Sequence, residues 1–147
     1  MMFKQVRDIL EHLQNMHKEI IMYYDHLEKK ADKQIVRQLL NHLRKNKDEF
    51  KAVIERYEEE GYPPIMDTWI QFSPQKSVEK EKEKFHFTED MSIEEVTKVA
   101  VHFDNLMEDI LRHLAEKAHP KEARVVFNSL AEVLEREKLH LSSDTAL

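Results

Sequence analysis

The sequence predicts an all-α protein made of two antiparallel helical hairpins joined by a long crossover. Three observations predict it. First, the 147 residues include one glycine and four prolines, with 35% charged and 41% hydrophobic residues. So few chain breakers among so much charge favour long amphipathic helices over strands. Second, apolar residues recur at steps of three and four along four separate stretches. Third, "YYDHLEKKADKQIVRQLLNHL" (23–43) lies over "ILRHLAEKAHPKEARVVFNSL" (110–130) at a constant offset of 87, matching His26 with His113, Leu27 with Leu114, Ala31 with Ala118 and Asn41 with Asn128. A repeated hairpin joined by a crossover makes a four-helix bundle with pseudo-twofold symmetry. The length suits a single domain, 1–147.

The first helix is expected from about residue 3 to 30, with the seam Phe3, Val6, Leu10, Leu13, His17, Ile20, Tyr24, Leu27. Asp32 offers an N-cap for the second helix. That helix carries the seam Val36, Leu40, Leu43, Lys47, Phe50, Ile54, Tyr57 and stops where Gly61 caps it and Pro63-Pro64 forbid continuation. Residues 61 to about 91 form the crossover. Within it Ile65, Trp69, Ile70 and Phe72 are expected against the helices, with the lone Trp as an anchor. A connection this long has a topological job when it joins two helices that run the same way. The third helix opens at a Ser92/Glu95 capping box and carries Ile93, Thr97, Ala100, Asp104, Met107, Leu111, Leu114, Ala118. His119 and Pro120 break the chain, and Pro120 suits a first helical position. The fourth seam is Ala123, Phe127, Leu130, Leu134, Glu137, Leu141, followed by a tail, "SSDTAL", expected to fray.

The net charge is −6 with His neutral, and no basic block stands out, so a nucleic-acid backbone is not the expected partner. The run "KSVEKEKEKF" alternates sign and reads as a solvated face or linker. Without cysteine there are no disulfides, thiolate metal sites, Cys nucleophiles or rubredoxin-type iron centre in this chain. No apolar run approaches the ~20 residues that span a membrane. The N-terminal "MMFKQVRDIL" lacks the apolar core of a signal peptide, so a cytoplasmic location is expected.

Each apolar seam is interrupted by one ionisable residue: His17, Lys47, Asp104 and Glu137. The repeat sets His17 against Asp104, Lys47 against Leu134, and Phe50 against Glu137, which makes these positions candidates for one mid-protein layer. An ionisable group in a core costs several kcal/mol, roughly, unless it is paired or metal-bound. Three readings are open. The seams drift and the side chains reach solvent, Lys47 on its aliphatic stem. Or His17, Asp104 and Glu137, with His140 from the one Glu-x-x-His, Glu137-Lys138-Leu139-His140, hold a metal. Or the Lys47 ammonium is held by Asp104 and Glu137, with His17 hydrogen-bonded beside them and protonated to balance the charge. His26 and His113, equivalent in the repeat, are candidates for a second layer.

The stretch "MSIEEVTKVAVHFDNLMEDILRHLAEKAHPKEARVVFNSLAEVLEREKLHL", with its "HLAEKA…F.SLAE…E" cadence, resembles the second hairpin of the ferritin-like superfamily, nearest the rubrerythrin-type small di-iron proteins. The resemblance covers nearly the whole chain outside the crossover. It implies a ferritin-like four-helix bundle and a metal motif of one Glu on helices 1 and 3 and Glu-x-x-His on helices 2 and 4. Carried over residue by residue, the helix 1 Glu falls on His17 and the helix 3 Glu on Asp104. The helix 2 motif falls on Lys47-x-x-Phe50, and the helix 4 motif on Leu134-x-x-Glu137. None of the six ligands keeps its type.

The resemblance therefore implies a degenerate di-iron site. The leading expectation is a bundle that has lost di-iron catalysis, carries no cofactor and acts as a non-enzymatic binding or structural protein around a buried polar cluster. The alternative is an oxidoreductase of rubrerythrin or ferritin type with iron, or another divalent metal, in an altered site. A second alternative is a helical interaction module that forms a homodimer through a stripe of Ile9, Met16, Ile21 and Tyr23.

Overall fold

The computed structural model describes residues 2–73 and 76–145, with side-chain surroundings up to residue 141. The chain opens with a short strand, β1 (Phe3–Gln5), followed by helix α1 (Val6–Lys30). The first helix thus starts three residues later than expected from its seam. Phe3 pairs in the ribbon described below and is exposed. A tight connection leads to α2 (Gln34–Asn46), which passes through Lys47 into α3 (Asp48–Glu60). Asp32 does not cap α2. The N-cap is Lys33, without a side-chain bond, and the Asp32 N–H instead donates to the Glu89 carbonyl at 2.7 Å.

The second helix was expected to be continuous, but it tightens at Lys47, whose N–H reaches back to the Arg44 carbonyl at 3.3 Å. This is the i→i−3 turn that marks a local distortion. No proline or glycine stands there. α3 ends at Gly61, which is extended (φ −61°, ψ 140°) and not left-handed. A glycine is needed there because of a close approach: a Cβ would run into the Tyr57 carbonyl oxygen and into Met66 Cγ and Sδ at 2.8 Å.

The crossover has its own small elements: α4 (Pro63–Met66), strand β2 (Trp69–Gln71) and α5 (Val78–Lys82). β2 pairs antiparallel with β1, Lys4 opposite Ile70 and Gln5 opposite Trp69. Successive strand residues face opposite ways, so Ile70 is buried while Trp69 is 63% exposed. The expectation of Trp69 as a buried anchor is therefore wrong. Met66, Ile70 and Phe72 hold this part of the crossover to the core, with Ile65 half-buried beside them. The alternating-sign run is also more than a linker. Ser77 caps α5, and Val78 and Glu81 are buried in it. Glu81 accepts from Lys84 and pairs with His102 at 2.9 Å.

α6 (Ile93–Lys117) starts at the expected capping box, with both reciprocal Ser92–Glu95 bonds at 3.1 Å. α7 (Lys121–Thr145) begins directly after Pro120. The tail expected to fray continues α7 as far as Thr145, and residues 146–147 lie outside the described residues. α1 packs on α2 and α3, α6 on α7, α3 on α7, and α2 on α6. The start of α6 lies beside the α1–α2 turn, where Lys33 Nζ donates to the Asp90 carbonyl at 2.9 Å. The β ribbon closes the opposite end, with the Val6 N–H on the Thr68 carbonyl. The crossover runs the length of the protein, so α2–α3 and α6 point the same way.

The protein is all-α apart from the ribbon, and its buried residues form one apolar cluster. No helix among the described residues is long and apolar enough to cross a membrane. The repeat holds in detail. Val6–Lys30 and Ile93–Lys117 are offset by 87 at both ends, and α2 and α7 begin at Gln34 and Lys121, again 87 apart. Their C-caps match: Ala31 (φ −69°, ψ 132°) and Ala118 (φ −72°, ψ 135°) donate to the carbonyls of Leu27 and Leu114. Arg37 and Arg124 then bond the carbonyls of those same two alanines.

The stripe expected to dimerise is not free. Ile9 and Met16 are buried, and Ile21 and Tyr23 are half-buried. Tyr23 lies edge-on to Phe87 of the crossover and to Phe103 of α6, and Lys82 sits over its ring. The crossover covers the far end of this stripe.

Candidate functional site

Midway along the protein the seams carry the four ionisable residues into the core. His17, Lys47, Asp104 and Glu137 are all at most 7% exposed. Lys47 Nζ donates to Asp104 Oδ1 and, at 2.9 Å, to Glu137 Oε2. One cation from the first hairpin is thus gripped by two carboxylates of the second. Burial alone would lower the Lys47 pKa. The Asp104 and Glu137 carboxylates outweigh it and hold the ammonium well above its ordinary range. Lys47 is therefore held as the ammonium cation.

Glu137 responds in the opposite direction. Burial pushes it up to about 7 against the pull of Lys47, and the Asp104 charge adds to the rise. Its second oxygen, Oε1, has no hydrogen-bond partner among the described residues. Glu137 also borders a surface cleft beside Lys45, Asn46, Glu49 and His140, so it is the member of the layer next to solvent.

His17 lies in the layer but not as expected. Its ring stacks on Phe50 (4.8 Å between centroids, 29° between planes), and Nε2 has no hydrogen-bond partner among the described residues. Burial, then Lys47 and Lys51, lower its pKa to about 3. His17 is accordingly neutral, and the expectation of a protonated, hydrogen-bonded His17 balancing the two acids is corrected. The balance falls to Glu137, which takes a proton near neutrality.

Tyr24 is a member that the sequence did not single out. It is fully buried, its hydroxyl has no hydrogen-bond partner among the described residues, and the charges of Lys47, Asp104 and Glu137 all act on it. Burial raises its pKa. A signal was present, since a tyrosine on a core seam brings a hydroxyl that wants a partner. It was read as an apolar residue.

Among the described residues no three His, Cys, Asp or Glu side chains stand where one ion would need them. The Lys47 ammonium lies between the two carboxylates, His17 faces Phe50, and His140 is exposed on the outer side of Glu137. His17, Asp104, Glu137 and His140 do not form a ligand set, and the residues present do not fit a di-iron centre. His26 and His113 form no second layer either: both are exposed, in two different clefts. No family model, curated protein or solved structure matches the chain.

Proposed function

We propose that the chain is a ferritin-like four-helix bundle, related to the rubrerythrin-type proteins, that has lost di-iron catalysis and works as a non-enzymatic structural or binding protein. One observation carries the reading: the Lys47 ammonium is hydrogen-bonded to both Asp104 and Glu137 in the core. It supplies there the positive charge that a metal would supply to inward-facing carboxylates. The doubled hairpin and the crossover between two helices that run the same way support the fold.

The role of the layer is to hold unlike halves together. The first half brings the lysine and the second brings both acids. Pairing two first halves would bury two unpaired ammonium groups, and pairing two second halves would bury four carboxyl groups. Each alternative costs several kcal/mol, roughly. The layer thereby selects one partner and one register, the best-attested use of buried charge.

The test is to rebuild the donor set on the second helix. Lys47→Glu with Phe50→His removes the cation and returns a Glu-x-x-His. An anaerobic ferrous titration should show weak binding to wild type and binding about 10–100-fold tighter to the double variant. Equal affinity for the two proteins contradicts the reading.

A further inference from the structure

The duplication also produces two related surface clefts, neither of which is lined by His17, Lys47, Asp104 or Glu137. One lies between the end of α1 and the crossover and is bordered by Tyr23, His26, Leu27 and Lys30. The other lies between the end of α6 and the crossover and is bordered by Ile110, His113, Leu114 and Lys117. These are the same four helix positions at the offset of 87. The crossover adds one lysine to each, Lys82 to the first and Lys76 to the second, together with aromatic walls. Phe85 meets His102 edge-on (5.1 Å, 70°) and Phe72 meets His12 (5.3 Å, 72°), although the two histidines are not equivalent in the repeat.

The clefts differ in what already fills them. The α1 cleft is lined by three benzene rings, Tyr23, Phe85 and Phe87, with Phe87 against Tyr23 at 6.5 Å. Its Lys82 is tied to Glu79 at 3.3 Å and covers the Tyr23 ring. The α6 cleft is larger, about 340 Å³, and has one such ring, Phe72. Its floor is apolar, with Leu106 and Leu114 nearly buried. Lys76 and Lys117 have no acidic partner among the described residues, and one carboxylate, Asp109, stands against the two lysines. A cleft of this size with an apolar floor and a few convergent polar groups is the usual form of a small-molecule site. Local positive charge in a chain of net charge −6 favours an anion.

We propose that the cleft between α6 and the crossover residues Gln71, Phe72, Ser73 and Lys76 binds a small aromatic carboxylate. Its ring lies on Leu106, Ile110 and Phe72, taking the place beside Ile110 that Phe87 takes beside Tyr23. Its carboxylate is held by Lys76 and Lys117, with the His113 ring N–H as a further donor. This site goes beyond the structural role of the Lys47 layer and does not depend on it.

The test is an amide NMR titration of the full chain with phenylacetate, with phenylacetamide and inorganic phosphate as controls. Saturable shifts are expected for Leu106, Ile110 and Lys117, with weaker binding of both controls. The double variant Lys76→Glu, Lys117→Glu changes two exposed side chains and should bind at least tenfold more weakly with an unchanged spectrum elsewhere. Ile110→Glu, on the rim of the floor, should weaken binding similarly. Four results overturn the proposal: no saturable shifts, equal binding of the neutral amide, the same shifts with phosphate alone, or undiminished binding by the double variant.

Discussion

Lys47 and Asp104 lie 57 residues apart and in different hairpins, yet the Lys47 ammonium donates to the Asp104 carboxylate inside the core, with both residues under 5% exposed. Neither group would be stable there alone. A buried lysine without a partner would lose its proton, and a buried aspartate would gain one. Their pairing, extended to Glu137, lets three ionisable groups occupy positions that the helical seams reserve for apolar side chains.

Removing the cation should therefore cost much more than removing the whole layer. Lys47→Ala leaves two carboxyl groups facing each other in the core, and chemical denaturation should report a loss of about 3–5 kcal/mol. Replacing His17, Lys47, Asp104 and Glu137 together by well-packed apolar residues should return stability to within about 1 kcal/mol of wild type, or above it. A single-variant loss no larger than that of the fourfold variant would show that the ion pair carries no special cost.

Two groups of the layer set the pH dependence, with opposite signs. Glu137 is raised from 4.5 to about 7, so the folded state holds its proton more tightly than the unfolded state. Stability from this group is lost as pH rises between 4.5 and 7, and none is left to lose above that window. His17 is lowered from 6.5 to about 3, so its contribution is full above 6.5 and is lost as pH falls toward 3. Between pH 4.5 and 6.5 the two slopes offset each other. Their joint contribution should be flat there, falling with rising pH between 6.5 and 7 and with falling pH below 4.5. Glu137→Gln should abolish the fall near neutrality, and His17→Phe should reduce the fall on the acid side. Urea midpoints measured across pH 4–8 check both slopes.

Gly61 should resist the smallest substitution. An alanine Cβ there meets the Tyr57 carbonyl oxygen and two atoms of Met66 at 2.8 Å. Met66 is buried but flexible, whereas the carbonyl belongs to the last turn of α3 and cannot give way cheaply. Gly61→Ala should cost about 1–3 kcal/mol in thermal or chemical unfolding, and a change within a few tenths would show that the turn relaxes freely.

Trp69 gives a spectroscopic check on the ribbon. At 63% exposure on the outer face of β2, it should emit at a solvent-like wavelength and be readily quenched by iodide in the folded protein. A blue-shifted, protected emission would mean that β2 presents its other face to the core, with Ile70 turned outward.

The seams made the helices and the polar layer legible, because His17, Lys47, Asp104 and Glu137 each interrupt an otherwise apolar file. The offset of 87 announced the two hairpins and paired Ala31 with Ala118, which the structure shows to be the C-caps of α1 and α6. What escaped depended on contacts that local patterns do not carry. Phe3 continued a helical period, but pairing with Gln71 made it strand. Trp69 was assigned by its size, and strand alternation overruled it. Ile9 and Met16 lay off the main seam and read as exposed, because nothing local shows that other chain covers them. Glu81 sat in a run of alternating charge, and its burial depends on His102 across the fold. Within the site, the orientation of His17 was decided by Phe50 one helix away, and periodicity does not report ring stacking.

The central claim, that a lysine stands where a metal would be needed, is tested most directly by metal analysis of the protein purified without a metal-affinity tag. Folded protein with far less than one equivalent of iron, manganese or zinc per chain is the predicted result. A stoichiometric metal that is retained through dialysis and lost in His17→Ala, Asp104→Ala or Glu137→Ala would contradict the account, because those side chains could ligate it only if Lys47 had left its place between the two carboxylates.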